Sequence, residues 1–144
     1  MHVLLVEHHL PLAKAIMRGL EEEGIDAHLA RNDAEGEARA RSIAYAALLV
    51  DWRVPHRGGA ALVRAWRQDG VRTPTIMLMP SGSVPDLVEG FDAGADDFLA
   101  MPFSFADLLA RLRALQPAAW PASQRLASQR LARSALAQSL AEPV

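Results

Sequence analysis

The sequence has 144 residues, of which 51% are hydrophobic and 22% are charged, so it predicts one packed domain and excludes global disorder. Lysine and arginine together number 15 against 17 acidic residues, and this formal net charge of -2 argues against nucleic-acid binding through bulk charge. There is no cysteine, which excludes disulfides and thiolate metal sites. No apolar run approaches the ~20 residues of a membrane span, and the N-terminus lacks a signal-peptide pattern, so we expect a soluble, cytoplasmic protein.

Five short apolar runs recur along the chain, each bounded by turn or polar residues. Their length is typical of strands rather than helices. The runs occupy residues 3–6, 25–30, 46–50, 75–79 and 98–100.

The segments between these runs carry the periodicity of helices. Pro11 suits a first helical turn and Gly24 suits the position just past a helix end, which predicts a helix between them. Residues 33–42 form a weaker, alanine-rich candidate. A third candidate, over residues 61–66, ends before Gly70.

Two capping boxes predict the remaining helices. Ser83 with Asp86 opens a short helix that stops near Gly94. Ser104 with Asp107 opens the last helix. That helix carries the clearest apolar stripe in the chain, formed by Phe105, Leu108, Leu109, Leu112 and Leu115.

Strand and helix thus alternate five times, which predicts an α/β fold with a parallel sheet covered by helices on both faces. We place this domain at residues 1–116. Residues 117–144 form a tail rich in alanine, leucine and arginine, which prolines separate from the last helix and which is either a helix or a linker. Sheets of this kind bind ligands beyond the carboxyl ends of their strands, so the residues after each strand are the candidates for a site.

Polar side chains follow the first and third strands. Glu7 and His8 come after the first strand, and Asp51 comes after the third. If the strand order brings the first, third and fifth strands together, these three side chains converge on one pocket. Met79 and Met101 stand at the ends of the fourth and fifth strands.

Four stretches of the sequence together resemble one known family. They read LLVEHH from residue 4, LLVDWRVP from residue 48, PTIMLMPSG from residue 74 and GFDAGADDFLAMPF from residue 90. They resemble the receiver domain of bacterial two-component response regulators, most closely the OmpR/PhoB-like branch, over residues 1–115. The resemblance implies a flavodoxin-like fold whose five-stranded parallel sheet has the order 2-1-3-4-5.

The resemblance also implies a role for each residue of the pocket. Asp51 takes the place of the phosphoacceptor for a histidine kinase, and Glu7 that of the first of two acids that hold Mg²⁺. His8 stands where the family has the second acid. Met79 replaces a hydroxyl residue, and Met101 replaces a lysine.

Two further positions follow from the resemblance. Pro102 matches the family's cis-proline, so we expect a cis Met101-Pro102 bond. Phe98 matches the aromatic residue that reorients on activation, but it has no hydroxyl. A methionine at position 79 fills the space into which that aromatic moves, so we expect a locked or retuned equilibrium.

These departures remove groups that phosphoryl transfer uses. Mg²⁺ prefers oxygen ligands to imidazole, and a thioether brings no charge to the phosphoryl oxygens. Losing one such electrostatic contact typically costs ~100-fold in rate. We therefore expect phosphorylation of Asp51 to be lost or strongly impaired, with no enzymatic activity, no required cofactor, and Mg²⁺ bound weakly or not at all by Glu7 and Asp51.

Two alternatives concern the same pocket. Arg53 lies two residues past Asp51, where its guanidinium either pairs with a carboxylate or faces solvent. A transition-metal site would instead draw its ligands from Glu7, His8, His9, Asp51 and His56.

The OmpR/PhoB-like branch forms a twofold dimer through its fourth helix, fifth strand and fifth helix. The corresponding face of this chain comprises Val88, Phe91, Asp97, Leu109 and Arg111. We expect Asp97 and Arg111 to pair across the two subunits. Leu87 stands where a basic residue is usual, which leaves Asp107 without its expected partner.

The preferred hypothesis is an atypical receiver that signals by protein–protein contact, as a homodimer and with a histidine kinase or an effector as partner, without contacting nucleic acid or membrane. The alternatives are a working phosphoacceptor receiver that controls transcription and a small metal-binding domain of flavodoxin-like fold. Whole OmpR/PhoB-like regulators carry a winged-helix DNA-binding domain, for which the residues after 115 are too few. The sequence is therefore either a stand-alone protein or a fragment of a longer regulator.

Overall fold

The computed structural model describes residues 1–80 and 84–116, in which five strands alternate with five helices. The elements are β1 (His2–Val6), α1 (Leu10–Glu22), β2 (Asp26–Ala30), α2 (Asp33–Ser42), β3 (Ala47–Asp51), α3 (Gly59–Gln68), β4 (Thr75–Met79), α4 (Val84–Ala93), β5 (Asp97–Ala100) and α5 (Phe105–Ala114). The predictions for Ser83 and for residues 117–144 lie outside the described residues. Of the helices described, none has the length and apolar character to cross a membrane.

The strands form one parallel sheet in the order β2-β1-β3-β4-β5, which confirms the predicted fold class and strand order. The register aligns the carboxyl ends of the central strands. Val6 of β1 pairs with Val50 of β3, and Asp51 of β3 pairs with Leu78 of β4. The loops that leave these three strands therefore start at the same edge of the sheet.

The bounds of the helices follow the predicted segments to within a few residues. α2 spans Asp33–Ser42, as predicted. α1 ends before Gly24, whose φ of 73° suits a residue without a side chain. α5 starts after Ser104, whose hydroxyl accepts a hydrogen bond from the backbone N–H of Asp107 at 3.1 Å.

Both faces of the sheet are covered, which explains why the strands read as continuous apolar runs. Successive side chains of a strand point to opposite faces. In β1, Leu4 and Val6 belong to the core cluster shared with α2, α3 and α4, whereas Val3 and Leu5 belong to the cluster shared with α1 and α5. All four side chains are fully buried.

The two helices on the second face, α1 and α5, meet closely at Gly19. A Cβ atom at this position would come within 2.5 Å of the Phe105 ring. Because Gly19 has no side chain, the Phe105 ring fits against the backbone of α1, and the first turn of α5 packs closely on this helix.

Candidate functional site

Glu7 and Asp51 lie side by side because their strands are neighbours. Glu7 directly follows β1 and Asp51 ends β3, and both side chains are 0% exposed. His8 reaches the same place from the loop after β1, with its side chain 39% exposed. One ligand atom from each of these three residues lies within 4.8 Å of the others. The structure thus brings together the three polar residues that follow the first and third strands.

Arg53 pairs with the carboxylate of Asp51. The backbone N–H of Arg53 donates to Oδ1 at 2.7 Å, and its Nε donates to the same oxygen at 3.3 Å. Its Nη2 donates to Oδ2 at 3.1 Å. Both oxygens of Asp51 are therefore held by one residue, and the pairing alternative for Arg53 is the one that the structure adopts.

Glu7 titrates unusually because it is buried. Its Oε1 accepts a hydrogen bond from the backbone N–H of His9 at 3.0 Å, whereas its Oε2 has no hydrogen-bond partner among the described residues. Burial, followed by the interaction with the neighbouring Asp51 carboxylate, raises the pKa of Glu7 to about 8. At neutral pH the Glu7 carboxyl is therefore mostly protonated.

Asp51 is shifted in the opposite direction. Burial acts to raise the pKa of this carboxyl, but the interactions with the Glu7 carboxyl and with the guanidinium and backbone N–H of Arg53 hold it below its ordinary value. The pocket accordingly contains one carboxylate, one protonated carboxyl and one guanidinium.

The two methionines occupy different environments. Met79 at the end of β4 is fully buried in the core cluster beneath α3 and α4. Met101 is only partly buried, and its Sδ lies 3.9 Å from the Nη2 of Arg53. The Met101-Pro102 peptide bond is cis. Neither methionine places a charge or a hydroxyl near Asp51.

The residues of the pocket do not fit Mg²⁺. This ion requires octahedral oxygen ligands, and here the third donor beside Glu7 and Asp51 is the imidazole of His8. Both oxygens of Asp51 are hydrogen-bonded to Arg53. A hard cation would have to displace the guanidinium of Arg53 to gain Asp51 as a ligand.

The wider transition-metal set is not assembled. Among the described residues, the group with three ligand atoms in reach of one another is Glu7, His8 and Asp51. His9 and His56 are exposed and do not join it. The structure therefore does not bring these two histidines together with Glu7 and Asp51, as the alternative requires.

Phe98 is turned inward, under α4. Its ring is 2% exposed and packs edge-on against Phe91, with the ring centroids 4.4 Å apart. A Cβ atom on Gly90 would come within 2.4 Å of the Phe98 ring, so the ring lies directly against the backbone of α4. Its position depends on a glycine in the helix above it.

Arg111 is a buried residue, not a surface partner. Its side chain is 4% exposed, its Nη1 donates to Oδ1 of Asp97 at 2.9 Å, and its Nε donates to Oδ1 of Asp107 at 3.0 Å. The predicted pairing of Asp97 with Arg111 across two subunits is therefore wrong, since the pair forms within one chain. The prediction that Asp107 lacks a partner is also wrong, because Arg111 lies one helical turn further along α5.

The face of α4, β5 and α5 keeps only part of its predicted apolar centre. Val88 is 51% exposed and Phe91 is 43% exposed. Leu109 is 9% exposed and packs into the core cluster shared with α1. Its predicted place at the centre of a dimer face is wrong, because the apolar stripe of α5 points at the sheet.

Trp52 belongs to the site although sequence reasoning assigned it no role. It follows Asp51, and its partly buried ring packs against the core cluster. The ring reaches within 3.7 Å of the place where a Cβ of Gly90 would lie. Trp52 thus connects the pocket to α4, and a large aromatic residue directly after a buried strand is the sequence signal that indicates it.

The comparison with known families agrees with this geometry. A family model described as the response regulator receiver domain matches residues 3–113. The chain is similar to the uncharacterized transcriptional regulatory protein YkoG of Bacillus subtilis, with 36% identity over 113 residues. That match covers 78% of this chain and 50% of the relative, so the chain spans about half the length of the curated relative.

Two solved structures extend the comparison. The receiver domain of the Francisella response regulator 1452 matches with a TM-score of 0.76 and 30% identity, over 80% of this chain and 95% of that one. The receiver domain of the sensor histidine kinase PA1611 from Pseudomonas aeruginosa PAO1 matches with a TM-score of 0.72 and 30% identity, over 78% of this chain and 93% of that one. The latter structure is described as holding a magnesium ion in its active-site cleft.

Proposed function

The chain belongs to the response regulator receiver domain family of two-component systems, and from that membership we propose that it is an atypical receiver in which phosphorylation of Asp51 is lost or strongly impaired. Receiver domains are signalling domains that act on effector domains, so the function proposed here is signal transduction by protein–protein contact. The observation that carries the proposal is the pairing of Arg53 with both carboxylate oxygens of Asp51.

The proposal rests on what phosphoryl transfer demands of its site. The attacking carboxylate must be free to approach phosphorus, and cations must neutralise the phosphoryl oxygens. Here the guanidinium of Arg53 covers the carboxylate of Asp51, and Met101 brings no charge. Each missing electrostatic contact costs about 3 kcal/mol in activation free energy, although such costs do not simply add.

Arg53 takes over the electrostatic task of the ion that the pocket does not fit. It keeps Asp51 ionised and neutralised while Glu7 remains protonated. Asp51 thus carries a permanent counterion. A receiver of this kind holds one conformation irrespective of a phosphodonor, with Phe98 packed inward under α4.

We assign the output to the face formed by α4, β5 and α5. Val88 and Phe91 are the exposed large apolar side chains of that face, and they supply contact area for a second copy of the chain. A histidine kinase or an effector protein is the alternative partner. Control of transcription remains a proposal, because the relatives named as transcriptional regulators are about twice as long as the matched region.

The decisive experiment is intact mass spectrometry after incubation with acetyl phosphate and Mg²⁺. We expect no phosphoryl adduct on the unaltered protein under conditions that fully load a receiver with a complete acidic pocket. The Asp51→Asn variant gives the background for any labelling elsewhere. Rapid, stoichiometric loading that the Asp51→Asn variant abolishes contradicts the proposal.

A second candidate is a phosphoacceptor receiver that works without strong dependence on Mg²⁺. The observation in its favour is the lowered pKa of Asp51, which keeps a nucleophilic carboxylate available over a wide pH range. In this case Arg53 would move from the carboxylate to the incoming phosphoryl oxygens. Slow adduct formation at equal rates with Mg²⁺ and with a chelator selects this candidate.

A further inference from the structure

A cavity of about 620 Å³ opens beside the Asp51 pocket, between α1 and the loop that joins β5 to α5. Its walls are mainly apolar, and the apolar side chains of the lining include Leu12, Ile16, Met101, Phe103 and Phe105. The volume lies within the ~300–1,000 Å³ that is usual for small-molecule sites. Ala15 of α1 belongs to the lining and is itself exposed.

The polar part of the lining consists of His8, His9 and Arg53. All three residues are exposed. The Nε and Nη2 of Arg53 donate hydrogen bonds to Asp51, whereas its Nη1 makes no hydrogen bond within the described residues. The two N–H donors of Nη1 are therefore left for an occupant. The rings of His8 and His9 also line the cavity, with Nδ1 of His8 3.6 Å from Oε1 of Glu7.

The charge of the lining favours an anion over a cation. None of the described lining residues is acidic. The nearest carboxylate, Asp51, has a side chain that is 0% exposed and is already paired with Arg53. An ammonium group beside His8, His9 and Arg53 would have no lining carboxylate to pair with. A carboxylate group could instead form planar hydrogen bonds with the guanidinium of Arg53.

We propose that this cavity binds a small carboxylic acid with an aromatic or branched apolar body. The carboxylate lies against Nη1 of Arg53 and the ring of His8 or His9, and the apolar body lies among Leu12, Phe103 and Phe105. This inference goes beyond the proposed function, since binding does not depend on whether Asp51 accepts a phosphoryl group. It also gives the receiver a chemical input, because Arg53 contacts the occupant and Asp51 at once.

The test uses naphthoate as the probe and naphthylmethylamine as its cationic counterpart, followed in two-dimensional ¹H–¹⁵N spectra of the unaltered protein. We expect naphthoate to shift the amides of residues 8, 9, 12, 53 and 103 saturably, and the amine to leave them unmoved. Ala15→Trp adds an indole ring to the lining of the cavity, and we expect it to weaken binding about tenfold or more, as does Arg53→Gln. The matched controls are Ala38→Trp and Arg64→Gln, which alter exposed residues of α2 and α3 and leave the affinity unchanged.

Several outcomes overturn the inference. Shifts that do not saturate at millimolar naphthoate, or saturable shifts at residues elsewhere, remove the site. Equal binding of the amine removes the assignment to an anion, and the unaltered protein alone is sufficient for that comparison. Shifts of the same amides that grow with protein concentration in the absence of probe assign the cavity to a second copy of the chain. Phosphoryl loading of Asp51 leaves the inference intact and contradicts only the proposed function.

Discussion

Glu7 follows β1 and Asp51 ends the neighbouring strand β3, with ligand atoms within 4.8 Å of each other, yet their pKa values are shifted in opposite directions. The interaction between the two carboxyl groups raises the pKa of Glu7 and lowers that of Asp51, and the guanidinium of Arg53 lowers the pKa of Asp51 further. In this pocket the carboxyl group of Glu7 therefore holds its proton more tightly than usual, whereas that of Asp51 loses its proton more readily.

Replacing Arg53 tests the origin of the charge on Asp51. In Arg53→Ala we expect the pKa of Asp51 to rise, because the hydrogen bonds and the positive charge of the guanidinium are lost while burial remains. Carboxyl ¹³C chemical shifts followed through a pH titration measure this directly. Arg64→Ala on α3 is the control, and an Asp51 titration that is the same in both variants refutes the pairing.

Glu7 makes stability depend on pH. Because its folded-state pKa of about 8 lies above the unfolded value of 4.5, the folded state binds the proton more tightly. Its contribution is fully present below about pH 4.5 and is lost as the pH rises through about 8. We expect Glu7→Gln to be more stable than the unaltered protein at pH 9, by up to about 5 kcal/mol for a pKa raised from 4.5 to about 8, and within about 1 kcal/mol of it at pH 5. Urea unfolding at both pH values measures this, with Glu22→Gln as the exposed control; a constant difference argues against the shift.

Restoring the missing groups should restore the chemistry. His8→Asp supplies an oxygen ligand, and Met101→Lys supplies a cation beside the carboxylate of Asp51. We expect the double variant to form a phosphoryl adduct with acetyl phosphate and Mg²⁺ about 100-fold faster than the unaltered protein, or more. Addition of Asp51→Asn to the double variant must abolish the adduct. Equal rates in the double variant and the unaltered protein would show that the pocket is not limited by these groups.

The exposed apolar residues of α4 test the proposed homodimer. Val88→Glu places a charge at the centre of the contact, and we expect it to weaken self-association about tenfold or more. Analytical ultracentrifugation over a range of concentrations measures the change. Ala38→Glu makes a similar change in charge on α2 and leaves association unaltered. A protein that stays monomeric at all concentrations, or a dimer indifferent to Val88→Glu, removes this face as the contact.

The buried ion pair of Arg111 supports α5 against β5. Burial raises the pKa of Asp97, and Arg111 opposes that rise. Removal of the Arg111 guanidinium therefore leaves the buried carboxyl of Asp97 without its positively charged partner. We expect Arg111→Met to lose about 3 kcal/mol of unfolding free energy. The double variant Arg111→Met, Asp97→Asn recovers part of the loss in the same denaturation measurement. Equal losses in the single and the double variant mean that the two residues do not act as a pair.

The fold follows from the sequence because its signals are local. Apolar runs of strand length and a glycine past a helix end, as at Gly24, are readable without tertiary structure. The order of the strands came from the family resemblance. The convergence of Glu7 with Asp51 then follows, because residues after adjacent parallel strands must share an edge.

The surface of α5 was harder to predict because burial there depends on the rotation of the helix. The sequence alone suggests that Arg111 is exposed to solvent. In the structure its guanidinium is buried and donates hydrogen bonds to three acceptors, which belong to β5 and α5. Leu109 moved inward for the same reason. The sequence does not predict whether Arg53 pairs with Asp51, because the loop sets the direction of a side chain two residues beyond a strand.

Phe105 serves two neighbours at once, since its ring fills the notch at Gly19 and also walls the cavity beside Arg53. A methyl group at position 19 would push the ring toward the cavity and shrink it. Gly19 thus limits the size of the cavity through the Phe105 ring, although Gly19 itself does not line the cavity. Exchanges at position 19 would therefore tune ligand size without altering any contact atom.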